Sequence, residues 1–334
     1  MSTANVVPET WGLDSADARQ VLKDAGFAPV LKESVVRLRF ADGFSHGRAL
    51  AFQTVLALIP GVVVTLGIAG LTNSDSLRGS VLDLLSAMVP GPAHEVLREA
   101  AQHGASQGAR HGVGALVVGG LAMLVAGATA FGQIERGANR IYGVEQDRPT
   151  LHKYARATAL AASAGLLMLL SFVALAAGRS VAGTITSPVW RDIWRAGRWP
   201  LGVLVLVLAY TVVFQVCPKR RQPSFSWLAV GALLSVALTF AISVLLSVYL
   251  NASSSLGQTY GPLAGFIGIM LWANLAAIAL YLGLAFAAQL EAVRAGRARP
   301  QSSEKVETTE PASQGAAVSA TASVAVRPAS GSSW

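Results

Sequence analysis

The sequence predicts an all-α fold: a polytopic membrane protein with six transmembrane helices and additional amphipathic helices at the membrane interface. The chain is 53% apolar and only 13% charged, whereas about 25% of the residues of soluble domains are charged. Six apolar runs are long enough to cross a hydrocarbon core of about 30 Å, which requires about 20 helical residues. The last run, residues 263–288, contains no charged side chain.

The predicted membrane domain covers residues 48–290. Its six spans are expected at residues 49–71, 113–134, 157–178, 201–217, 227–249 and 263–288, of which the fourth is the shortest. Residues 1–47 precede it, and the pattern of Val30–Phe40 indicates an interfacial helix. Residues 291–334 form a tail that is rich in Ser, Ala, Thr and Pro and has no periodic apolar face, so it is predicted to be disordered.

The segment between the first two spans has two short stretches with apolar residues at helical spacing. They are residues 80–88 and 94–107, separated by Pro90 and Pro92. Each is too short to span a bilayer, so the pattern predicts a pair of amphipathic helices on the outer surface. An ordinary packed loop is the alternative.

The distribution of basic residues predicts the orientation. With six spans, 19 of the 26 lysines and arginines lie on one side of the membrane. Basic residues are enriched in cytoplasmic segments, so both termini are predicted to be cytoplasmic. The loop 179–199 has four arginines on the predicted outer side, and its Trp190, Trp194 and Trp199 suggest an interfacial anchor. The net charge of +8 therefore indicates contact with lipid headgroups rather than with nucleic acid.

The amino terminus and the cysteine content add two expectations. Residues 1–45 contain charges throughout and no apolar core of a signal peptide, so the first span is expected to direct insertion. The single cysteine, Cys217, excludes an internal disulfide and is interpreted as a small apolar filler.

Three stretches carry a family resemblance: RALAFQTVLALIPGVVVTLG in span one, AFGQIERGANRIYGVEQDRP at the end of span two, and YLNASSSLGQTYGPLAG before span six. Together they resemble the YihY/BrkB family of bacterial inner-membrane proteins, once mislabelled ribonuclease BN. The resemblance covers about residues 40–290 and implies six helices in the plasma (inner) membrane; roles proposed for the family include envelope-lipid transport and serum resistance. The matching positions are Ala49, Leu50, Ala51, Phe52, Pro60, Phe131, Asn139, Ile141, Tyr142, Arg148, Tyr260 and Gly261.

The last span departs from the pattern of many family members, which carry a Gly-Ala-Glu there. The matching positions in this chain are Gly283, Leu284 and Ala285, so a mechanism that needs a carboxylate at this point is not carried over. The stretch LWANL, which contains Asn274, is similar to the YhjD branch of the family.

Polar groups inside predicted spans are candidates for substrate contact, because an unpaired amide in hydrocarbon is costly. Asn274 lies within the uncharged run, and hydrogen bonding between helices is its alternative role. Pro60 is expected to bend the first span, although many such prolines serve packing alone. Arg136 and Arg140 share a helix face and could bind a phosphate or carboxylate, or simply reach the interface. The candidate residues are Gln53, Thr54, Pro60, Gln133, Asn139, Arg140 and Asn274.

No enzyme motif is found in the sequence. The five histidines are scattered, with no paired spacing for a metal, and neither a P-loop nor a G-x-S-x-G motif is present. We therefore expect no catalytic residue, cofactor or metal, and ribonuclease activity is considered unlikely on these grounds. The leading hypothesis is a transporter or translocase of an amphiphilic, lipid-like envelope substrate. The alternative is a non-catalytic scaffold in envelope assembly, which the stripes of small residues and the predicted disordered tail favour. Membrane lipids are expected partners in both cases, and a second copy of the chain, in a homo-oligomer, is a further candidate partner.

Overall fold

The structure is a computed structural model that describes residues 4–71, 79, 113–144, 148–168, 186–252, 262–297 and 299–300. Within these residues every regular element is helical, which confirms the all-α class. In chain order the helices are α1 (Ser15–Ala25), α2 (Phe27–Phe40), α3 (Gly43–Leu71), α4 (Val113–Tyr142), α5 (Thr150–Leu160), a π-helical turn (Ala161–Gly165), α6 (Pro188–Val216), α7 (Phe225–Ala252) and α8 (Pro262–Arg294).

Four of the described helices are long and apolar enough to cross a membrane. They contain Leu116–Tyr142, Pro188–Val216, Phe225–Tyr249 and Phe266–Arg294. These four correspond to the second, fourth, fifth and sixth predicted spans, so the number six is not confirmed. The first predicted span is helical within α3 but is not one of the four, and the third is described only to residue 168. The predicted amphipathic pair, residues 80–88 and 94–107, and the tail beyond residue 300 lie outside the described residues.

The helices pack around α8. Helix α8 contacts α2, α3 and α7, while α3 packs along α4 and α6 along α7. Its second half supplies much of the core, because Tyr281, Leu284 and Phe286 are fully buried. Helices α7 and α8 approach each other closely where Gly231 faces Gly283, and neither position leaves room for a Cβ atom. This confirms that small residues allow the last helix to pack closely, as the spacing of Gly283 and Ala287 suggests.

The start of α6 corrects the prediction for the fourth span. The helix begins at Pro188 and not at residue 201, so Trp190 and Trp194 lie on a helix and not in a loop. Proline suits the first helical position because its fixed φ is already helical and its missing N–H would be unbonded there. Pro200, directly before the predicted start at residue 201, lies inside α6, and the helix continues past it.

The amino-terminal segment also differs from the prediction. The expected interfacial helix exists as α2, but it packs on α8, and its Val30, Arg37 and Leu38 are buried. Helix α1 was not predicted, although the sequence contains an N-terminal capping pattern, Asp14 followed three residues later by Asp17. The Asp14 side chain accepts from the N–H groups of Ala16 and Asp17, and the Asp17 carboxylate accepts from the Asp14 N–H. This capping box satisfies N–H groups that a helix start would leave unbonded.

Two helix ends lie beyond the predicted limits. Helix α4 continues past residue 134 to Tyr142, and α8 continues past residue 288 to Arg294. Charged side chains suggested span ends at both places, but the first charge in each helix, Glu135 in α4 and Glu291 in α8, is buried and paired with an arginine. Glu291, assigned to the tail from the sequence, is 0% exposed. The predicted division at residue 290 therefore falls inside a packed helix.

Candidate functional site

An apolar cavity of about 440 Å³ lies between α3, α4, the π-helical turn with the residues that follow it, α6 and α8. Small side chains leave this space open, notably Gly120, Gly127, Ala130, Ala273 and Ala276. Larger apolar side chains form the rest of the lining, which includes Leu50, Met123, Leu124, Phe131, Ile134, Leu166, Met168 and Leu280.

The few polar groups of the lining already have partners. The Thr54 hydroxyl donates to the Leu50 carbonyl at 2.9 Å, and the Trp272 indole N–H donates to Ser243 Oγ at 3.0 Å. The space therefore offers contact to hydrocarbon and little to a charged group. Its size falls within the range of about 300–1,000 Å³ that is typical of ligand pockets.

The π-helical turn shapes one wall of the cavity. Ala161, Ala162 and Gly165 line it, and the Cα of Gly127 on α4 faces Ala161 so closely that an added Cβ would lie 3.0 Å from the Ala161 Cβ. A π-helical turn accommodates an extra residue within a helix and is frequent at functional sites. Here it belongs to the cavity wall and was not predicted, because no residue pattern marked it.

Two of the predicted amides connect α3 to α4. Thr129 Oγ1 donates to Gln53 Oε1 at 2.9 Å, and one turn further along α4 Gln133 Nε2 lies 2.9 Å from His46 Nδ1. The Tyr281 hydroxyl of α8 donates to the Gln133 backbone carbonyl at 3.0 Å, so hydrogen bonds also connect α8 to α4. Gln53 and Gln133 therefore have the role of hydrogen bonding between helices, which the sequence analysis considered for Asn274 alone.

The polar end of α4 organises the neighbouring loops. Glu135 forms an ion pair with Arg148 at 3.1 Å, and Arg148 also donates to the carbonyls of Cys217 and Pro218. Asn139, 1% exposed, accepts the Lys219 N–H at 2.7 Å and so fixes the α6–α7 loop. Arg140 is half-buried and Arg136 is exposed. Burial also raises the pKa of the adjacent Cys217 thiol, which keeps it protonated.

Pro60 and Asn274 do not join the other candidates. Pro60 lies inside α3, between the lining residues Ala57 and Val64, but does not itself line the cavity. Asn274 is half-buried on α8, makes no hydrogen bond to another described residue, and does not line the cavity although Ala273 does. Of the seven predicted residues, only Thr54 reaches this cavity, so the structure does not bring them into one site.

A buried charged cluster is the largest feature that the sequence did not predict. Arg220 forms an ion pair with Glu291 at 2.6 Å, and its guanidinium lies 4.5 Å from the centre of the Tyr142 ring. Thr10 donates to the same Glu291 oxygen through both its hydroxyl and its N–H, and Arg220 donates to the Pro8 carbonyl. The amino-terminal segment therefore closes this end of the helix bundle.

Arg37 lies in the same region with only neutral hydrogen-bond partners. It donates to Gln289 Oε1 at 2.9 Å and to the carbonyls of Asn5 and Ile141. Burial lowers the pKa of Arg37 to about 10, with Glu291 acting in the opposite direction. The guanidinium remains charged at neutral pH.

The sequence contained one indication of this cluster, because the carboxylate of Glu291 lies only three residues after the uncharged last span. Its partner Arg220 could not be identified from the sequence.

The described residues contain no group of three His, Cys, Asp or Glu side chains that could hold a metal ion. The buried carboxylates Glu135 and Glu291 are each paired with an arginine. The chemistry that these residues offer is therefore hydrocarbon contact in the cavity and hydrogen bonding in the charged cluster.

Comparisons with known proteins identify relatives across most of the chain. The family model described as "Virulence factor BrkB" matches residues 34–308. The ribonuclease-like protein YfkH of Bacillus subtilis (strain 168) is 25% identical over 261 residues, which are 76% of this chain and 92% of YfkH. UPF0761 membrane proteins of Xanthomonas oryzae pv. oryzae (strain PXO99A) and Xanthomonas campestris pv. campestris (strain B100) are 26% identical over 268 residues. The match covers 77% of this chain but only 60% of each Xanthomonas protein. No solved structure matches.

Proposed function

This chain belongs to the virulence factor BrkB family of membrane proteins, and we propose that it binds the hydrocarbon part of an amphiphilic, lipid-like envelope molecule and transports it. The observation that carries the proposal is the apolar cavity of about 440 Å³ between the helices. Burial of hydrocarbon surface that was in water is favourable by about 25 cal/mol for each Å², but far less free energy is released when the hydrocarbon comes from lipid. The shape of the cavity must therefore supply selectivity for one chain.

The route that we propose runs through the cavity and not past the predicted amides. The cavity that the described residues form is apolar, and none of the predicted amides lines it. Its walls come from α3, α4, the π-helical turn, α6 and α8, and the lining includes the exposed Ala162 and Leu166, so the cavity already reaches the surface of the described helices. The chain has no ATP-binding motif, and the proposed driving force is a gradient or a partner protein.

The test fills the cavity and measures bound lipid. Ala276→Phe places a ring in the cavity, while Ala122→Phe places the same ring on an exposed face of α4 outside the lining. We expect native mass spectrometry to detect a co-purified amphiphile on the wild type and on Ala122→Phe, with at least a tenfold loss on Ala276→Phe. Proteoliposomes with a fluorescent phospholipid in one leaflet would then measure movement. Equal lipid retention and equal movement in all three proteins would contradict the proposal.

A scaffold in envelope assembly is the second candidate, and one observation favours it. Gln53 is engaged in a hydrogen bond between α3 and α4, and Gln133 lies within hydrogen-bonding distance of His46 on α3, as expected for structural contacts. A scaffold predicts that filling the cavity leaves function intact. Rescue of an envelope defect in a deletion strain by Ala276→Phe, at wild-type level, would support the scaffold over the transporter.

The proposed location is the bacterial inner membrane, with both termini in the cytoplasm. The asymmetry of the lysines and arginines supports this orientation. The relatives named as membrane proteins support a membrane location in general.

A further inference from the structure

Five buried polar atoms in the charged cluster have no hydrogen-bond partner within the protein. They belong to Tyr142 at the end of α4, Arg220 and Gln222 in the α6–α7 loop, and Glu291 near the end of α8. The atoms are Tyr142 Oη, Arg220 Nη1, both Gln222 amide atoms and Glu291 Oε2, and they are five of the eight such atoms among the described residues. Because buried polar groups are almost always bonded, this concentration requires an explanation.

The four side chains face one another. Arg220 Nη2 lies 2.6 Å from Glu291 Oε1, and the Arg220 guanidinium lies over the Tyr142 ring at 4.5 Å. The Gln222 side chain lies within hydrogen-bonding reach of the Tyr142 hydroxyl, but the contact falls short of the distance and angles of a well-formed hydrogen bond. Polar groups that are near but misaligned are typical of groups bridged by a third molecule.

The surroundings restrict the size of an occupant. Tyr142 and Glu291 are 0% exposed, and the side chain of Arg220 is 3% exposed. The amino-terminal segment closes the cluster through Thr10, which donates to Glu291, and Pro8, which accepts from Arg220. An occupant must therefore be small, and the half-buried Gln222 marks the side of the cluster that lies nearest to solvent.

The unpaired atoms also define the chemistry of an occupant. Arg220 Nη1 and Gln222 Nε2 can only donate, Gln222 Oε1 and Glu291 Oε2 accept, and the Tyr142 hydroxyl can do either. An anion would leave the acceptors unpaired, and the Arg220 guanidinium disfavours a metal cation. We propose that these four residues form a binding site for a small neutral molecule that both donates and accepts hydrogen bonds, either water or a hydroxyl-bearing solute.

The test compares the melting temperature of the full-length protein in detergent with that of Gln222→Leu, Tyr142→Phe and the double variant. An occupied site predicts that each single variant loses about 3 °C, because bonds to the occupant disappear. The double variant should lose less than the sum, since both side chains bind the same molecule. An unfilled site predicts the opposite, a higher melting temperature after removal of unpaired groups. Unchanged or raised melting temperatures in both single variants would overturn the proposal.

Two additions make the result specific. Gln215→Leu is the control, because it removes an unpaired amide oxygen of α6 that is not among the five atoms. Its change in melting temperature measures the general effect of replacing Gln with Leu. Native mass spectrometry separates the two sources of the occupant: an extra mass on the wild type that is absent from Gln222→Leu identifies a solute. No extra mass, together with the lowered melting temperature, assigns water.

Discussion

Arg37 holds a charge at a position that is 1% exposed, and its bonds explain how the fold accommodates it. The guanidinium donates to Gln289, Asn5 and Ile141, which belong to α8, the amino-terminal segment and α4. The Ile141 carbonyl lies in the last turn of α4, where unbonded carbonyls carry partial negative charge. A basic residue that the sequence assigned to the membrane surface therefore connects three parts of the structure.

Replacement of Arg37 by alanine is expected to lower the free energy of unfolding by about 3 kcal/mol, because three buried acceptors lose their donor. Arg39→Ala is the matched control, since Arg39 is exposed on the same helix; its effect should be within about 0.5 kcal/mol. Chemical unfolding in detergent, followed by circular dichroism, measures both. Similar losses in the two variants would show that the buried contacts of Arg37 contribute little.

Among the elements, the α7–α8 pair depends most on residue size. Trp227 Nε1 donates to the Ala287 carbonyl at 3.3 Å and Ser235 Oγ to the Leu280 carbonyl at 3.3 Å, contacts that require the two helices to lie close together. A Cβ at Gly283 would overlap Ser235 Oγ and the Gly231 carbonyl oxygen. The second of these is a backbone atom and cannot move aside by rotation of a side chain.

Gly283→Ala is therefore expected to destabilise the protein by about 2 kcal/mol, the usual size of an overpacking effect. Gly132→Ala on α4 is the control, because a Cβ there meets no atom within 4 Å; the better helix propensity of alanine should stabilise it by up to about 1 kcal/mol. Thermal unfolding of both variants tests the pair. A higher melting temperature of the Gly283→Ala variant would show that α7 and α8 can move apart without loss of stability.

At the scale of the whole molecule, the charged side chains that are buried among the described residues gather at one end of the helices. Asn139 and Arg148 fix the α6–α7 loop, while Arg220 and Glu291 bind the amino-terminal segment. The cavity is bounded by apolar helix faces instead. This separation matches a membrane protein whose loops meet water at that end.

Orientation is a prediction for the whole chain. A green fluorescent protein fused after Pro300 is expected to fluoresce in a bacterial host, and alkaline phosphatase fused at the same position is expected to be inactive, because both reporters would be cytoplasmic. The same two reporters, fused directly to the amino terminus, should behave alike. Active phosphatase at either end would refute the proposed orientation of that terminus.

The amino-acid sequence by itself determined the helical class, the membrane location and the approximate place of four spanning helices, because length and apolar composition are properties of each segment alone. It did not determine where α6 begins or where α4 and α8 end. Those limits depend on whether the helix continues past a proline, as α6 does at Pro200, and on whether a charge is paired, as Glu135 is with Arg148.

Only the tertiary structure decided the role of each polar residue. Gln53 and Asn139 were candidates for substrate binding, and their partners Thr129 and Lys219 lie far away in the chain. The cavity likewise arises where several helices leave space beside small residues such as Gly127, and no single helix encodes it. The physical reason is the same in each case: a segment's hydropathy is local, whereas a hydrogen bond or a void requires two or more segments to meet.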